Sequence, residues 1–145
     1  MNCGGGGCGT IFKITPDGTI SLLYSFENTQ PGSNVQLVQG TDGNFYGTTQ
    51  KLSNTASSTV FQLSLGLAPF VKAVPGIAFT GTQVFILGNN LTGATSVTFN
   101  GKPAVFTVVS ATEITATVPK PATTGIIKVV TPSGTILSNV PFRVY

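Results

Sequence analysis

Few residues in this 145-residue chain can carry acid–base, nucleophilic or metal chemistry. Histidine is absent, so no Ser-His-Asp or Cys-His relay can be assembled. A catalytic zinc centre likewise loses its usual imidazole ligands. The carboxylates are Asp17, Glu27, Asp42 and Glu113, and an acid–base enzyme must draw on them, helped by Lys, Tyr and Cys. Glu27 and Asp42 form the best pair, since both fall at strand ends of one repeat. A glycoside hydrolase needs two carboxyls roughly 5–10 Å apart. The competing reading of the same pair is two solvated loop acids. Ser–Lys chemistry finds every Ser and Lys in generic β context.

Cys3 and Cys8 flank four glycines in CGGGGCG. Two thiols without His do not complete a zinc site, so no metal is expected there. They read as a disulfide pinning the glycine loop, which implies an oxidising compartment. The alternative is a pair of free thiols on a loose N-terminus. Asp17-Gly18 and Asp42-Gly43-Asn44 lack the acid density of a calcium loop. They suit hairpin turns instead. The aromatic side chains Tyr24, Phe26, Phe45 and Tyr46 have two readings. One is a polysaccharide platform with hydrogen bonds from neighbouring polar groups, giving the ligand set Tyr24, Gln39, Asp42, Asn44 and Tyr46. The other is core filling. Phe45 and Tyr46 point to opposite faces of a strand, so at least one turns inward. The sequon Asn90-Leu91-Thr92 is read as coincidence.

Composition narrows the classes further. Charged residues make up 8%, against about 25% in ordinary globular chains. The net charge is +3, but Lys13, Lys51, Lys72, Lys102, Lys120, Lys128 and Arg143 are scattered. Nucleic-acid binders cluster such residues on one face, so no nucleic-acid partner is expected. No apolar run is long enough to span a membrane. The opening MNCGGGGCGT has neither the basic nor the apolar region of a signal peptide. Nothing calls for a cofactor.

The elements that must position these residues are strands. No window shows helical periodicity, while short β-branched and aromatic runs alternate with Gly, Pro, Asn and Asp. The first part, residues 1–67, gives strands at 10–14, 19–26, 35–39, 45–49 and 59–65, with a Pro16-Asp17-Gly18 turn closing the first hairpin. GTIFKI at 9–14 is echoed by STVFQL at 58–63. A unit of about 50 residues with four short strands has the size of a propeller blade. The chain thus holds one such unit plus the first strand of the next. The second part, residues 68–145, gives strands at 70–74, 83–87, 96–100, 104–109, 113–118, 125–131 and 140–145. That spacing predicts an immunoglobulin-like sandwich. In EITATV, Ile114, Ala116 and Val118 share one face.

Two resemblances follow. The second part resembles an IPT/TIG domain through the Gly88-Asn89-Asn90-Leu91 turn after QVFIL, GATSVTFNG, AVFTVVS with Phe106, ATEITATVP and TTGIIKVVTPSGTILSNVPFRV. The first part resembles tandem repeats of large secreted bacterial proteins, which carry GTIFKITPDG, LYSF and LVQGTDGNFYGTT. Together they imply an all-β chain, a propeller-blade-like antiparallel repeat followed by an immunoglobulin-like sandwich. They also imply a C-terminal fragment of a longer array, with Met1 an internal start. An isolated blade leaves edges uncovered, so a homo-oligomer through the N-terminal sheet is expected. The expected role is a non-catalytic extracellular or cell-surface module binding polysaccharide or protein. The alternative is a glycoside hydrolase using Glu27 and Asp42. A DNA-binding sandwich is a third class, but the loops here lack its basic residues.

Overall fold

The structure is a computed structural model that describes residues 9–26, 36–49 and 58–145. Among these residues every regular element is a strand. The chain divides into two compact units, one of Met1–Gln39 with Phe45–Ser64 and one of Gly40–Asn44 with Leu65–Tyr145.

The first unit contains β1 (Thr10–Ile14), β2 (Ile20–Ser25), β3 (Val38–Gln39), β4 (Phe45–Thr48) and β5 (Val60–Leu63). β1 and β2 pair antiparallel around the Pro16-Asp17-Gly18 turn, with a bulge after Ile11. β3, β4 and β5 form a separate antiparallel sheet with β4 in the centre. The strands expected to share one four-stranded, blade-like sheet are therefore divided between two sheets among the described residues. β4 itself cannot extend the β1–β2 sheet. A strand has two hydrogen-bonding edges, and those of β4 are taken by β3 and by β5. The small core joins Ile11 and Phe26 with Leu23, Phe61 and Leu63. Phe26 meets Phe61 edge-on at 5.6 Å.

The second unit contains β6 (Lys72–Val74), β7 (Ile77–Ala78), β8 (Gln83–Leu87), β9 (Ser96–Phe99), β10 (Lys102–Pro103), β11 (Phe106–Ser110), β12 (Glu113–Thr117), β13 (Ile127–Thr131), β14 (Gly134–Leu137) and β15 (Arg143–Val144). Two four-stranded sheets, β11-β12-β8-β6 and β10-β9-β13-β14, enclose the core, and β15 pairs in parallel with β7. Alternation explains the sandwich. Val84, Ile86, Ile114 and Ala116 line the inner face of one sheet; Val97, Phe99, Ile127 and Val129 line that of the other. Each is essentially solvent-free. Phe142 closes one flank edge-on to Phe99 at 5.1 Å. β7, β10 and β14 were not expected from sequence. The first two are only two residues long, and β14 falls between the strands expected at 125–131 and 140–145.

Hairpin chemistry fixes local register. Asn100 and Gly101 both have positive φ (45° and 79°), the requirement of a type I′ turn, and so place Phe99 opposite Lys102. The Asn100 amide also donates to Thr123 Oγ1 at 2.8 Å and to the Thr124 carbonyl at 3.2 Å.

Candidate functional site

Two of the carboxylates within the described residues, Asp17 and Asp42, accept local hydrogen bonds. Asp17 accepts hydrogen bonds from the Thr15 and Thr19 hydroxyls. Those bonds, Thr15 foremost, hold its carboxyl below the usual carboxylate range. Asp42 accepts from the Asn44 backbone N–H at 3.1 Å, the bond of an Asx turn, and from the Asn44 side-chain amide at 2.8 Å. Glu113 lies half-buried on β12, opposite Leu87 and Ser110. Glu27, the expected partner of Asp42, and the Cys3–Cys8 pair lie outside the described residues. No three Cys, Asp or Glu side chains converge among the described residues.

The five expected ligand residues divide between the units. Tyr24, Gln39 and Tyr46 belong to the first, Asp42 and Asn44 to the second. In the first, exposed Tyr24 packs edge-on to Phe26 at 4.9 Å. Phe26 is buried, so the core reading holds for it. Tyr46 is half-buried and its hydroxyl accepts from the Gln62 amide at 3.3 Å. Gln39 is half-buried opposite Phe45 in the β3–β4 register.

In the second, the Gly40–Asn44 turn is tied down at three points. The Thr41 carbonyl accepts from the Phe70 N–H at 2.9 Å. Its hydroxyl accepts from the Asn89 amide at 2.8 Å. Gly43 (φ 88°) presses so closely on the 67–68 backbone that an added Cβ would stand 2.3 Å from the Leu67 carbonyl oxygen.

The most open aromatic surface lies elsewhere, on the sandwich. β7 and β15 run parallel with Val144 opposite Ala78, so the next residues, Phe79 and Tyr145, emerge side by side. The Tyr145 N–H donates to the Ala78 carbonyl at 3.2 Å and fixes the backbone there. The two rings stand 5.1 Å apart, tilted by 35°, and are 66% and 71% exposed. This pair leaves two adjacent rings largely in solvent. A nearby pocket of about 90 Å³, lined by Lys72, Gly76, Ser138, Pro141 and Phe142 among others, is small. Ligand-sized clefts measure roughly 300–1,000 Å³. The Ser138 hydroxyl in it is committed to the Val140 carbonyl and the Ile127 N–H.

Residues 69–144 match the family model of the IPT/TIG domain. The chain belongs to the IPT/TIG family. Solved structures similar to it include an auxiliary nutrient binding protein from Bacteroides ovatus. That one shows 24% identity over 52% of this chain and 20% of the other, with a TM-score of 0.46. Another is SGBP-B from a complex xyloglucan utilization locus in Bacteroides uniformis, with 19% identity over 92% of this chain and 35% of the other and a TM-score of 0.44. This chain thus spans about a fifth and a third of their lengths. No curated protein matches it. No described helix is long and apolar enough to cross a membrane.

Within the IPT/TIG domain, sequence reasoning passed over Phe79 altogether and read Tyr145 only as a strand end. No local signal marks either. They meet because a parallel pair joins segments far apart in sequence, which no periodicity announces.

Proposed function

We propose that the chain is a non-catalytic module of an exported or surface protein that binds a polysaccharide or protein ligand and assembles with others of its kind. The observation that carries the binding half is the exposed Phe79–Tyr145 pair on the IPT/TIG domain. Adjacent, largely exposed aromatic rings suit contact with the apolar faces of sugar rings or with an apolar side chain. Under the same reading Tyr24, Gln39 and Tyr46 are candidate contacts within the first unit, and Asp42 and Asn44 are candidate contacts within the second. The composition, poor in charge and rich in Thr, Ser, Asn and Gly, suits an exported β-rich chain.

The test is retention on a panel of insoluble polysaccharides, with release of reducing sugar measured alongside. Binding without release is expected. Phe79→Ala should weaken retention by about tenfold, as losing about 1.4 kcal/mol of contact would. Unchanged retention in Phe79→Ala and Tyr145→Ala rules out the platform. Sugar release abolished by Asp42→Asn would replace binding with hydrolysis.

A further inference from the structure

The two sheets of the first unit show one repeating pattern from opposite ends. β1 and β5 are the echoing segments: Ile11, Phe12, Lys13 and Ile14 correspond to Val60, Phe61, Gln62 and Leu63, an offset of 49 residues. β5 has a partner strand. It pairs antiparallel with β4, with Phe61 opposite Gly47 and Leu63 opposite Phe45. The Phe61 ring lies so close over Gly47 that a Cβ there would stand 2.6 Å from its Cζ. The Phe-Tyr-Gly-Thr strand is therefore shaped to receive the phenylalanine of a β5-type strand, glycine leaving room for the ring.

β1 carries the same residues without that cover. Among the described residues its only strand partner is β2. Phe61 and Leu63 pack on Ile11 and Phe26. Their counterparts Phe12 and Ile14 are 57% and 60% exposed. Leu22 lies opposite Phe12, and Ile20 opposite Ile14. Both are also exposed, at 65% and 64%. Four large apolar side chains thus share one open face beside a strand edge that no described strand takes, a combination that soluble sheets avoid unless something covers it.

We propose that the open edge of β1 takes the Phe-Tyr-Gly-Thr strand of another copy of this repeat, in the register in which β5 takes β4. Phe12 then lies over the incoming glycine, Lys13 opposite the tyrosine and Ile14 opposite the phenylalanine. The product is a four-stranded antiparallel sheet: incoming β3- and β4-type strands, then β1, then β2. The occupant is a β3–β4 hairpin whose outer edge is free, because the β4 of a whole second copy is already closed by its own β5. The apolar face is covered in the same step by the neighbouring repeat's Ile11- and Phe26-type residues, as Phe61 and Leu63 are covered here. This inference rests on the assembly half of the reading above. It adds the partner, the strand and the register.

The probe is a synthetic peptide of residues 37–49, LVQGTDGNFYGTT, titrated calorimetrically into the full chain. Saturable, equimolar binding is expected. Phe12→Ala in the chain should weaken it by about tenfold or more, as should Gly47→Val in the peptide. Phe12 is exposed, so its replacement should leave thermal unfolding of the chain in place. No binding at millimolar peptide overturns the proposal. So does binding indifferent to Phe12→Ala, which would mean that the peptide has displaced β4 from β5. Tight binding of the Gly47→Val peptide also overturns it. Retention on polysaccharide, measured on the same proteins, reports on the ligand-binding half of the reading and does not involve Phe12. Peptide binding without retention therefore sinks the platform and upholds this pairing, and retention without peptide binding does the reverse.

Discussion

Replacing Gly43 by alanine asks whether the Gly40–Asn44 turn is an element of the sandwich or only a hairpin connection. Two costs are visible. The first is conformational: Gly43 has φ 88°, and an L-residue in the left-handed region costs about 1–2 kcal/mol. The second is steric. The new Cβ would stand 2.3 Å from the Leu67 carbonyl oxygen and 2.9 Å from that of Ala68. Those atoms are backbone and cannot rotate aside. Relief requires the turn and the 67–68 segment to separate by more than an ångström. That strains the Phe70 N–H to Thr41 carbonyl bond and the Asn89 to Thr41 hydroxyl bond, each contributing about 0.5–1.5 kcal/mol. The total is about 2–5 kcal/mol. Gly101→Ala supplies the control, since Gly101 has φ 79° in the same unit and nothing within 4 Å of an added Cβ. It should cost only the conformational part. The assay is urea unfolding of the full chain, with hydrogen exchange of the Phe70 amide as the local reporter. Gly43→Ala should lower the midpoint clearly more than Gly101→Ala and speed exchange at Phe70. Equal costs in the two variants, with Phe70 protection unchanged, would refute the tie between the turn and the sandwich.

Two further outcomes follow from the same geometry. Ile114 is fully buried between the sheets, so Ile114→Ala should cost about 2–5 kcal/mol in urea unfolding with the denaturant slope unchanged; a loss below about 1 kcal/mol would contradict the core assignment. Asp17 is held ionised by the Thr15 and Thr19 hydroxyls. Its stabilisation of the β1–β2 turn is therefore present at neutral pH and lost as pH falls through its lowered pKa. Exchange of the Thr15 and Gly18 amides, corrected for intrinsic rate, should accelerate over that acid range, and Asp17→Asn should flatten the response.

Much of the fold was legible in the residues. β1 and β8 fall where their apolar alternation predicts, and Ile114, Ala116 and Val118 turn inward together, as a period of two requires. Asn100-Gly101 declares its turn because few other pairs accept two positive φ values. These are local matters, set by sterics within a few residues, and sequence carries them directly. The limits of the candidate site were just as local in origin. Asp42, expected as a ligand residue or as half of a carboxylate pair, accepts from the backbone N–H and the side-chain amide of its near neighbour Asn44.

What sequence did not carry is which edges and faces meet. The echo between β1 and β5 was plain in the string, yet nothing there said that β5 would take the edge of β4 and leave β1 without it. Phe79 and Tyr145 became a pair only through the parallel alignment of β7 with β15. By itself the sequence determined an all-β chain without imidazole chemistry, because composition and period-two patterning act residue by residue. Only the tertiary structure decided which apolar side chains stay in water, because edge pairing is a competition among distant strands, and its outcome depends on all of them at once.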